Sequence, residues 1–244
     1  MAEDRVVVVL GGTGGIGGEV ARRLVERGDR VVIAARSAGE VESRAAELGA
    51  EGRVVDARDP DAVTELLGEA AGMGRLSGVV HAVGTLSLRP AHMTSPASFR
   101  ETLEHNLVSA FNVIRAAAPL LRDAGGGSLV FFSSAAARTG LPNHEAIAAA
   151  KGGVAALARS AAATYAGWGV RVNVLAPGLV RTPLTESITG SERAMDRSLE
   201  MHPLGRIGEP TDIAAAAVWL LEPESWVTGQ EIGVDGGLAT LKLG

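Results

Sequence analysis

The fold is decided by the stretch Val6-Val7-Val8-Val9-Leu10-Gly11-Gly12-Thr13-Gly14-Gly15-Ile16-Gly17-Gly18. Its apolar half predicts a buried strand, and apolar residues at helical spacing from Val20 to Val25 predict a helix directly after the glycines. A glycine turn lets the backbone come close to a pyrophosphate, and the helix start supplies free N–H groups and a positive dipole end. The stretch therefore predicts a site for a phosphate-bearing nucleotide.

The glycine spacing narrows this prediction. Gly11, Gly15 and Gly17 form a G-x-x-x-G-x-G pattern, which differs from the G-x-G-x-x-G of the long-chain dinucleotide enzymes. A flexible linker is the alternative for a glycine run, but the strand before it and the helix after it give the context that a nucleotide motif needs. The predicted cofactor contacts in this turn are Gly11, Thr13, Gly14, Gly15, Ile16 and Gly17.

Composition limits the class of protein. The chain has 244 residues, 46% of them hydrophobic and 32 of them glycine, which suits one α/β domain over residues 1–244. A net charge of −5 argues against nucleic acid or an acidic membrane as partner, and without cysteine there is no disulfide or thiolate catalysis. No apolar run reaches the ~18 residues of a membrane span. Because Met1-Ala2-Glu3-Asp4-Arg5 has no signal-peptide layout, we expect a cytoplasmic protein.

Apolar β-rich runs alternate with helical stretches along the chain. Strands are predicted at 5–10, 30–35, 52–56, 77–82, 127–133, 170–176 and 230–234. Helices are predicted near 15–27, 38–48, 59–72, 97–123, 145–167 and 211–221. Apolar strands separated by helices imply a parallel sheet covered on both faces. The predicted fold is therefore α/β, a Rossmann-type doubly wound sheet of about seven parallel strands that binds ligands beyond the strand C-terminal ends.

The least regular stretch of the chain is 181–205. It is polar and long for a connecting loop, which is typical of a lid or a substrate-binding segment. Apolar residues here and in 85–100 indicate a pocket for a small apolar molecule. We find no pattern of a metal site.

Several residues beyond the glycine turn match one known family. They are Asp56 after the third strand, His81-Ala82-Val83-Gly84 after the fourth, Asn106, Ser134, Lys151, and Pro177-Gly178 with Val180 and Thr182. Together with the turn they resemble the short-chain dehydrogenase/reductase family over essentially the whole chain. The resemblance implies that Asn106, Ser134 and Lys151 belong to an active site, and that the chain forms a homo-oligomer, a tetramer or a dimer.

The same resemblance implies how a nicotinamide cofactor is bound. Asp56 matches the residue that contacts the adenine, and His81-Ala82-Val83-Gly84 stands where the family has Asn-Asn-Ala-Gly, so Ala82 and Gly84 are expected at the cofactor. The segment from Pro177 to Thr182, including Gly178 and Val180, is expected to hold the nicotinamide carboxamide. Lys151 is expected to hydrogen-bond the nicotinamide ribose.

Charge at the end of the second strand indicates the cofactor subtype. An acidic residue there would bind the ribose 2′-hydroxyl and repel a 2′-phosphate, but Ala35 occupies the place and Arg36 follows it. A guanidinium forms a fork of hydrogen bonds with a phosphate. We therefore favour NADP(H), with NAD(H) as the alternative if Arg36 is only a solvated charge or stacks on the adenine.

The family's proton donor is missing from this chain. The family has a tyrosine four residues before the lysine, and here that position holds Ile147. The single tyrosine, Tyr165, lies 14 residues after Lys151, about 21 Å away along a helix. Hydride delivery to a carbonyl leaves an alkoxide that needs a proton, and a positioned acid is worth roughly 10²–10⁴-fold in rate.

Three substitutes for the tyrosine remain open. His144 stands seven residues before Lys151, where the family's enoyl reductases carry their tyrosine, and an imidazole titrates near neutrality. A water held by Lys151, Asn106 and Ser134 is the second. The third is a substrate that carries its own acid, or a C=C reduction through an enolate.

Three functions follow from these residues. The first is an NADP(H)-dependent oxidoreductase that acts on a carbonyl, an alcohol or an activated C=C of a small apolar molecule. The second is a catalytically silent NADP(H)-binding sensor or scaffold, motivated by Ile147. The third is a non-redox enzyme, such as a dehydratase or an isomerase, that reuses the pocket.

Overall fold

The computed structural model of the chain describes residues 5–242, so the first four residues of the N-terminal segment considered above lie outside it. Seven strands form one sheet. They are β1 (Arg5–Leu10), β2 (Arg30–Ala35), β3 (Glu51–Val54), β4 (Arg75–His81), β5 (Gly127–Phe132), β6 (Val170–Pro177) and β7 (Glu231–Val234). All neighbouring strands pair in parallel, in the order β3-β2-β1-β4-β5-β6-β7. The predicted doubly wound parallel sheet is confirmed.

The described range contains nine α-helices, of which the first, second, third, fifth, sixth and ninth pack against the sheet. They are α1 (Gly15–Glu26), α2 (Ala38–Leu48), α3 (Pro60–Met73), α4 (Pro96–Leu103), α5 (Ser109–Asp123), α6 (Glu145–Tyr165), α7 (Glu186–Thr189), α8 (Glu192–Met201) and α9 (Pro210–Leu221). The strand order reverses between β1 and β4, and the crevice beyond the C-terminal ends of these two strands is where ligands bind in open parallel sheets.

Two apolar cores lie on the two faces of the sheet, and β1 contributes to both because successive side chains of a strand point to opposite faces. Val6, Val8 and Leu10 pack with α3, α5 and α6, whereas Val7 and Val9 pack with α1 and α9. All five side chains are almost fully buried. The strand that leads into the glycine turn is thereby fixed from both sides.

The structure corrects two predicted elements. The helix predicted at 97–123 is interrupted by a π-helical turn at Glu104–Val108. The stretch 181–205 is not irregular, because it contains a 3-10 turn at Pro183–Thr185 followed by α7 and α8. Ser198 is the one buried residue of α8, so this surface helix lacks the broad apolar stripe by which a helix is recognised in a sequence.

Candidate nucleotide-binding and active site

Three positions of the glycine turn require glycine, because neighbouring atoms lie so close that a Cβ atom would not fit. Gly11 has φ +82°, and a Cβ atom on it would lie 2.6 Å from the carbonyl oxygen of Ala82 at the end of β4. A Cβ on Gly17 would collide with the carbonyl oxygen of Gly11, and one on Gly15 would lie 2.8 Å from Cγ2 of Thr182. The three glycines therefore let the turn, the start of α1 and the segment after β6 meet.

These contacts border a cavity of about 410 Å³ beside the start of α1. Its walls include eleven of the predicted cofactor contacts: Gly11, Thr13, Gly14, Gly15, Ile16, Gly17, Arg36, Asp56, Ala82, Gly84 and Thr182. Among the described residues no side chain caps α1, and its first turn holds no acidic residue. Its N–H groups are thus available to a phosphate, as a dinucleotide requires.

One end of this cavity holds a cluster of charges. Arg36 is exposed there, and Arg58 binds the Asp56 carboxylate with its Nε at 3.0 Å from both oxygens and its Nη2 at 2.5 Å from Oδ2. The hydrogen bonds from Arg58, aided by the charge of Arg36, lower the pKa of Asp56 to about 2. Asp56 is therefore ionised at any physiological pH.

His105 also borders this end of the cavity, and neither it nor Arg58 was among the predicted site residues. Its Nε2 lies 3.3 Å from Nη1 of Arg58. Burial, together with the charges of Arg58 and Arg36, lowers the pKa of His105. Since a guanidinium only donates, the His105 ring accepts this hydrogen bond. The contact joins residues 47 positions apart, which no local sequence signal reveals.

At the opposite end, Lys151 and Asn106 meet beside Gly84. A Cβ atom on Gly84 would lie 2.9 Å from Asn106 Oδ1 and 3.3 Å from Lys151 Nζ, so both atoms border the same small space. The ammonium donates to the carbonyl oxygen of Phe132, at 3.1 Å. Burial lowers the pKa of Lys151 to about 8. The structure thus gathers two of the predicted active-site residues at one edge of the cavity.

Hydrogen bonds hold Asn106 in place within the π-helical turn. Its Nδ2 donates to the carbonyl oxygen of Thr102, at 2.9 Å, and to Oγ1 of Thr85, at 3.1 Å. Its Oδ1 accepts from the Thr85 N–H, at 3.3 Å. A π-helical turn is common at functional sites, and here it brings a fully buried amide to the residues that follow β4.

Ser134 lies two residues beyond Phe132, whose carbonyl oxygen receives the Lys151 ammonium. Its Oγ accepts a hydrogen bond from the N–H of Ala136, at 3.2 Å. Since a hydroxyl both accepts and donates, this bond leaves its hydrogen available to a ligand oxygen. Ile147, one helical turn before Lys151, is 3% exposed.

The remaining predicted residues lie outside the wall of the first cavity. His144 precedes α6, and its Nδ1 donates to the carbonyl oxygen of Pro142, at 2.8 Å. Pro177 ends β6, and buried Val180 pairs with Gly208. Gly178 borders a second cavity, of about 460 Å³. A Cβ on Gly178 would lie 2.6 Å from His202 Nε2, so only glycine fits this close approach.

His81, at the end of β4, is fully buried. Its Nε2 lies 2.9 Å from Oγ of Ser109, which itself donates to the carbonyl oxygen of His105, at 2.8 Å. Burial and the charge of Lys151 lower the pKa of His81 to about 3. The ring is therefore neutral and donates from Nε2.

Residues 5–242 contain neither of two other features. No group of three or more His, Asp or Glu side chains there is arranged to hold a metal ion. None of the helices there is long and apolar enough to cross a bilayer.

Comparison with known proteins gives consistent matches over nearly the whole chain. A family model described as enoyl-(acyl carrier protein) reductase matches residues 11–239. A galactitol 2-dehydrogenase (L-tagatose-forming) of Cereibacter sphaeroides is 37% identical over 94% of this chain and 92% of the relative. A short-chain type dehydrogenase/reductase from Mycobacterium ulcerans superposes with a TM-score of 0.94 at 33% identity, over 97% of this chain and 90% of the other.

A further solved structure contains a cofactor. It is a variant of actinorhodin polyketide ketoreductase with NADPH, which is 27% identical and superposes with a TM-score of 0.92 over 98% of both chains. The cavity beside α1 has backbone donors and the exposed guanidinium of Arg36, groups that can bind the phosphates of such a dinucleotide.

Proposed function

The chain belongs to the short-chain dehydrogenase/reductase family, and on that premise we propose that it is an NADP(H)-dependent oxidoreductase. It transfers a hydride to or from a carbonyl or alcohol carbon, or an activated C=C, of a small apolar molecule. The observation that carries the proposal is the convergence of Lys151 and Asn106 at Gly84, on the edge of the cavity that the glycine turn opens. A binding module without chemistry has no need of that arrangement.

Each site residue has a defined task in this proposal. The cofactor, when bound, supplies or accepts the hydride at its nicotinamide ring. Lys151 holds the ribose next to that ring, and Ser134 donates its hydroxyl hydrogen to the substrate oxygen. Asn106 is held rigidly beside Lys151 and limits the space that the ammonium can occupy. The segment from Pro177 to Thr182, with Gly178 and Val180, orients the carboxamide.

The charges at the adenosine end favour NADP(H) over NAD(H). Arg36 lines the cavity and has no hydrogen bond or ion pair to another described side chain, so its guanidinium is available to a 2′-phosphate. Arg58, in contrast, is committed to Asp56. Glu40, in the first turn of α2, also borders this end of the cavity and is negatively charged. Because Arg58 is already paired, the preference for NADP(H) depends on Arg36 as the partner of the 2′-phosphate.

The segment 181–205 is proposed to cover the substrate. We further propose that the protein is a single-domain homo-oligomer in the cytoplasm. Leu184 supports an apolar substrate because it borders the cavity and is 53% exposed. One observation favours a second function, a silent NADP(H)-binding sensor or scaffold: the buried Ile147 stands four residues before Lys151, where the family resemblance implies a tyrosine.

A comparison of two lysine variants tests the proposal. Wild-type protein, Lys151→Ala and Lys242→Ala are titrated with NADPH and then given ethyl pyruvate, cyclohexanone or 2-cyclohexenone. We expect NADPH to be consumed with at least one probe by the wild type and by Lys242→Ala. Lys151→Ala is expected to bind NADPH more weakly and to lose turnover. NADPH binding without hydride transfer in the wild type would favour the sensor.

A further inference from the structure

We propose that the ammonium of Lys151 itself replaces the missing phenol, giving its proton to the substrate oxygen during reduction and taking it back during oxidation. This inference rests on the proposed oxidoreductase function. It assigns a second task to a residue that is otherwise expected only to hold the cofactor.

The other candidate acids are committed elsewhere. His81 is fully buried, neutral and bonded to Ser109. The Nδ1 hydrogen of His144 is held by the carbonyl oxygen of Pro142, within its own loop. Tyr165 lies at the far end of α6, where its ring packs against Trp168 with centroids 5.0 Å apart.

The carboxylate of Glu145 is also directed away from the Lys151 ammonium. Its Oε1 accepts a hydrogen bond from the N–H of Ala91, at 3.4 Å. The hydroxyl of Ser134 remains free to donate a hydrogen bond, but an alcohol is too weak an acid to release its proton near neutral pH. Lys151 is left as the acid at this edge of the cavity.

The surroundings of Lys151 suit a proton donor. Only one of its three N–H bonds has a partner among the described residues, the carbonyl oxygen of Phe132. No carboxylate of residues 5–242 forms an ion pair with it. The groups that face it are neutral: His81 from β4, the Asn106 amide from the π-helical turn and the Phe132 carbonyl from β5.

An unpaired buried ammonium gives up its proton more easily than a solvated one. This agrees with the lowering of the pKa of Lys151 to about 8 by burial. Ile147 adds no polar atom to the site and is shorter than a tyrosine. In this proposal the substrate oxygen, or one water between it and Nζ, takes the place that the hydroxyl end of a phenol would occupy.

The step balances without any other reactant. In reduction the hydride adds to the carbonyl carbon, the C=O π pair moves to oxygen, and the resulting alkoxide takes a proton from the Lys151 ammonium. The N–H bond breaks, leaving a neutral amine and an oxidised cofactor. The amine then regains a proton from solvent. The positive charge that oxidation creates on the nicotinamide ring further favours loss of the proton from the neighbouring ammonium.

The sequence makes this proposal easy to test, because Lys151 and Lys242 are the only lysines of the chain. Protein grown with ¹³Cε-labelled lysine gives two side-chain signals in a nuclear magnetic resonance titration, and Lys242→Arg assigns them. Lys242 is exposed and serves as the internal reference. In the cofactor-free protein we expect Lys151 to titrate near pH 8. Titration of the Lys151 signal near the pH of a solvated lysine side chain, about 10.4, would overturn the proposal.

Kinetics with the probe that the wild type reduces give the second measurement. We expect kcat for reduction to fall as pH rises through about 8, and the reverse reaction to rise over the same interval. Lys151→Arg keeps a cation that does not release its proton. It should therefore bind NADPH within a few-fold of the wild type and lose roughly 10²-fold or more in kcat. A fully active Lys151→Arg contradicts the assignment.

Two further variants separate the alternatives. Ile147→Tyr restores the family's acid, so it should raise kcat by less than tenfold if Lys151 already serves, but by roughly 10²–10⁴-fold if the wild type has no acid. The break near pH 8 should persist in His144→Gln, and its loss there would assign the proton to His144. Failure of the wild type to reduce any of the three probes while it binds NADPH refutes the proposed function itself, whatever the resonance titration shows.

Discussion

Replacing Lys151 by methionine should stabilise the protein at neutral pH. In the unfolded chain the pKa of a lysine is about 10.4, and burial lowers that of Lys151 to about 8. Each unit of difference corresponds to about 1.4 kcal/mol, so holding the charged form in the folded state costs about 3 kcal/mol. Methionine leaves the Phe132 carbonyl without its donor, a loss of about 1 kcal/mol. The net expected gain at pH 7 is about 2 kcal/mol.

The sign of the pH dependence follows from the protons bound in each state. Below pH 8 both states carry the charge, so the wild type suffers the whole penalty. Between about pH 8 and 10.4 the unfolded chain binds more protons than the folded protein, and wild-type stability rises with pH. The advantage of Lys151→Met should therefore be constant below pH 7 and disappear towards pH 10.

Denaturant unfolding at a series of pH values measures this difference. At pH 7 the expected gain corresponds to roughly 4–8 °C in Tm for a protein of this size. Lys242→Met is the matched control, because its side chain is exposed and should give no pH-dependent difference. A Lys151→Met protein less stable than the wild type by the same amount at every pH would refute the reasoning, since Lys151 would then bear no burial penalty.

Three other variants probe the cofactor cavity, and Gly28→Ala serves as a control outside it. Arg36→Ala should weaken NADPH binding about 10- to 150-fold, because a charge-assisted hydrogen bond to phosphate contributes about 1.5–3 kcal/mol. NADH affinity should stay within a few-fold of the wild type. An equal loss of affinity for both cofactors in calorimetry means that Arg36 only stacks on the adenine. Gly28→Ala should lower the free energy of unfolding by about 1–2 kcal/mol, because of the φ of +91° alone. Gly11→Ala adds a clash with Ala82 and should lower it by about 1–3 kcal/mol more. Equal losses in the two variants would contradict the close approach of Gly11 to Ala82. Gly84→Ala should lower kcat roughly 10²-fold by displacing Lys151 or Asn106, and unchanged kinetics argue against their meeting there.

The fold could be read from the sequence because its strongest signals are local. Four consecutive valines before the glycine turn form a strand that is buried on both faces, and this pattern does not depend on distant contacts. The π-helical turn at Glu104–Val108 could not be predicted from such a pattern. One extra residue in a helical turn hardly changes the spacing of the apolar residues on either side, so the sequence pattern resembles that of one continuous helix. Within and beside the turn, side chains donate to helix carbonyls, Asn106 to Thr102 and Ser109 to His105.

The site was only partly predictable for a related reason. Glycines of the turn, Arg36 and Asp56 follow strands whose C-terminal ends meet at one edge, so their approach follows from the topology alone. The contact between Arg58 and His105 depends instead on how the start of α3 lies against the π-helical turn. The sequence places an arginine two positions after Asp56, but nothing near either residue in the sequence points to His105, 47 positions beyond that arginine.

An unpaired ammonium explains both why Lys151 is costly to the fold and why it suits the reaction. In the resting site no described carboxylate balances its charge, so burial destabilises the folded protein. In the reaction proposed above, an alkoxide that develops on the substrate during hydride transfer would supply the missing anion, so the attraction would be strongest in the transition state, where it lowers the barrier. A carboxylate beside Lys151 would remove the stability cost and the catalytic gain together. We therefore expect loss of turnover and a gain in stability to occur in the same variant, Lys151→Met.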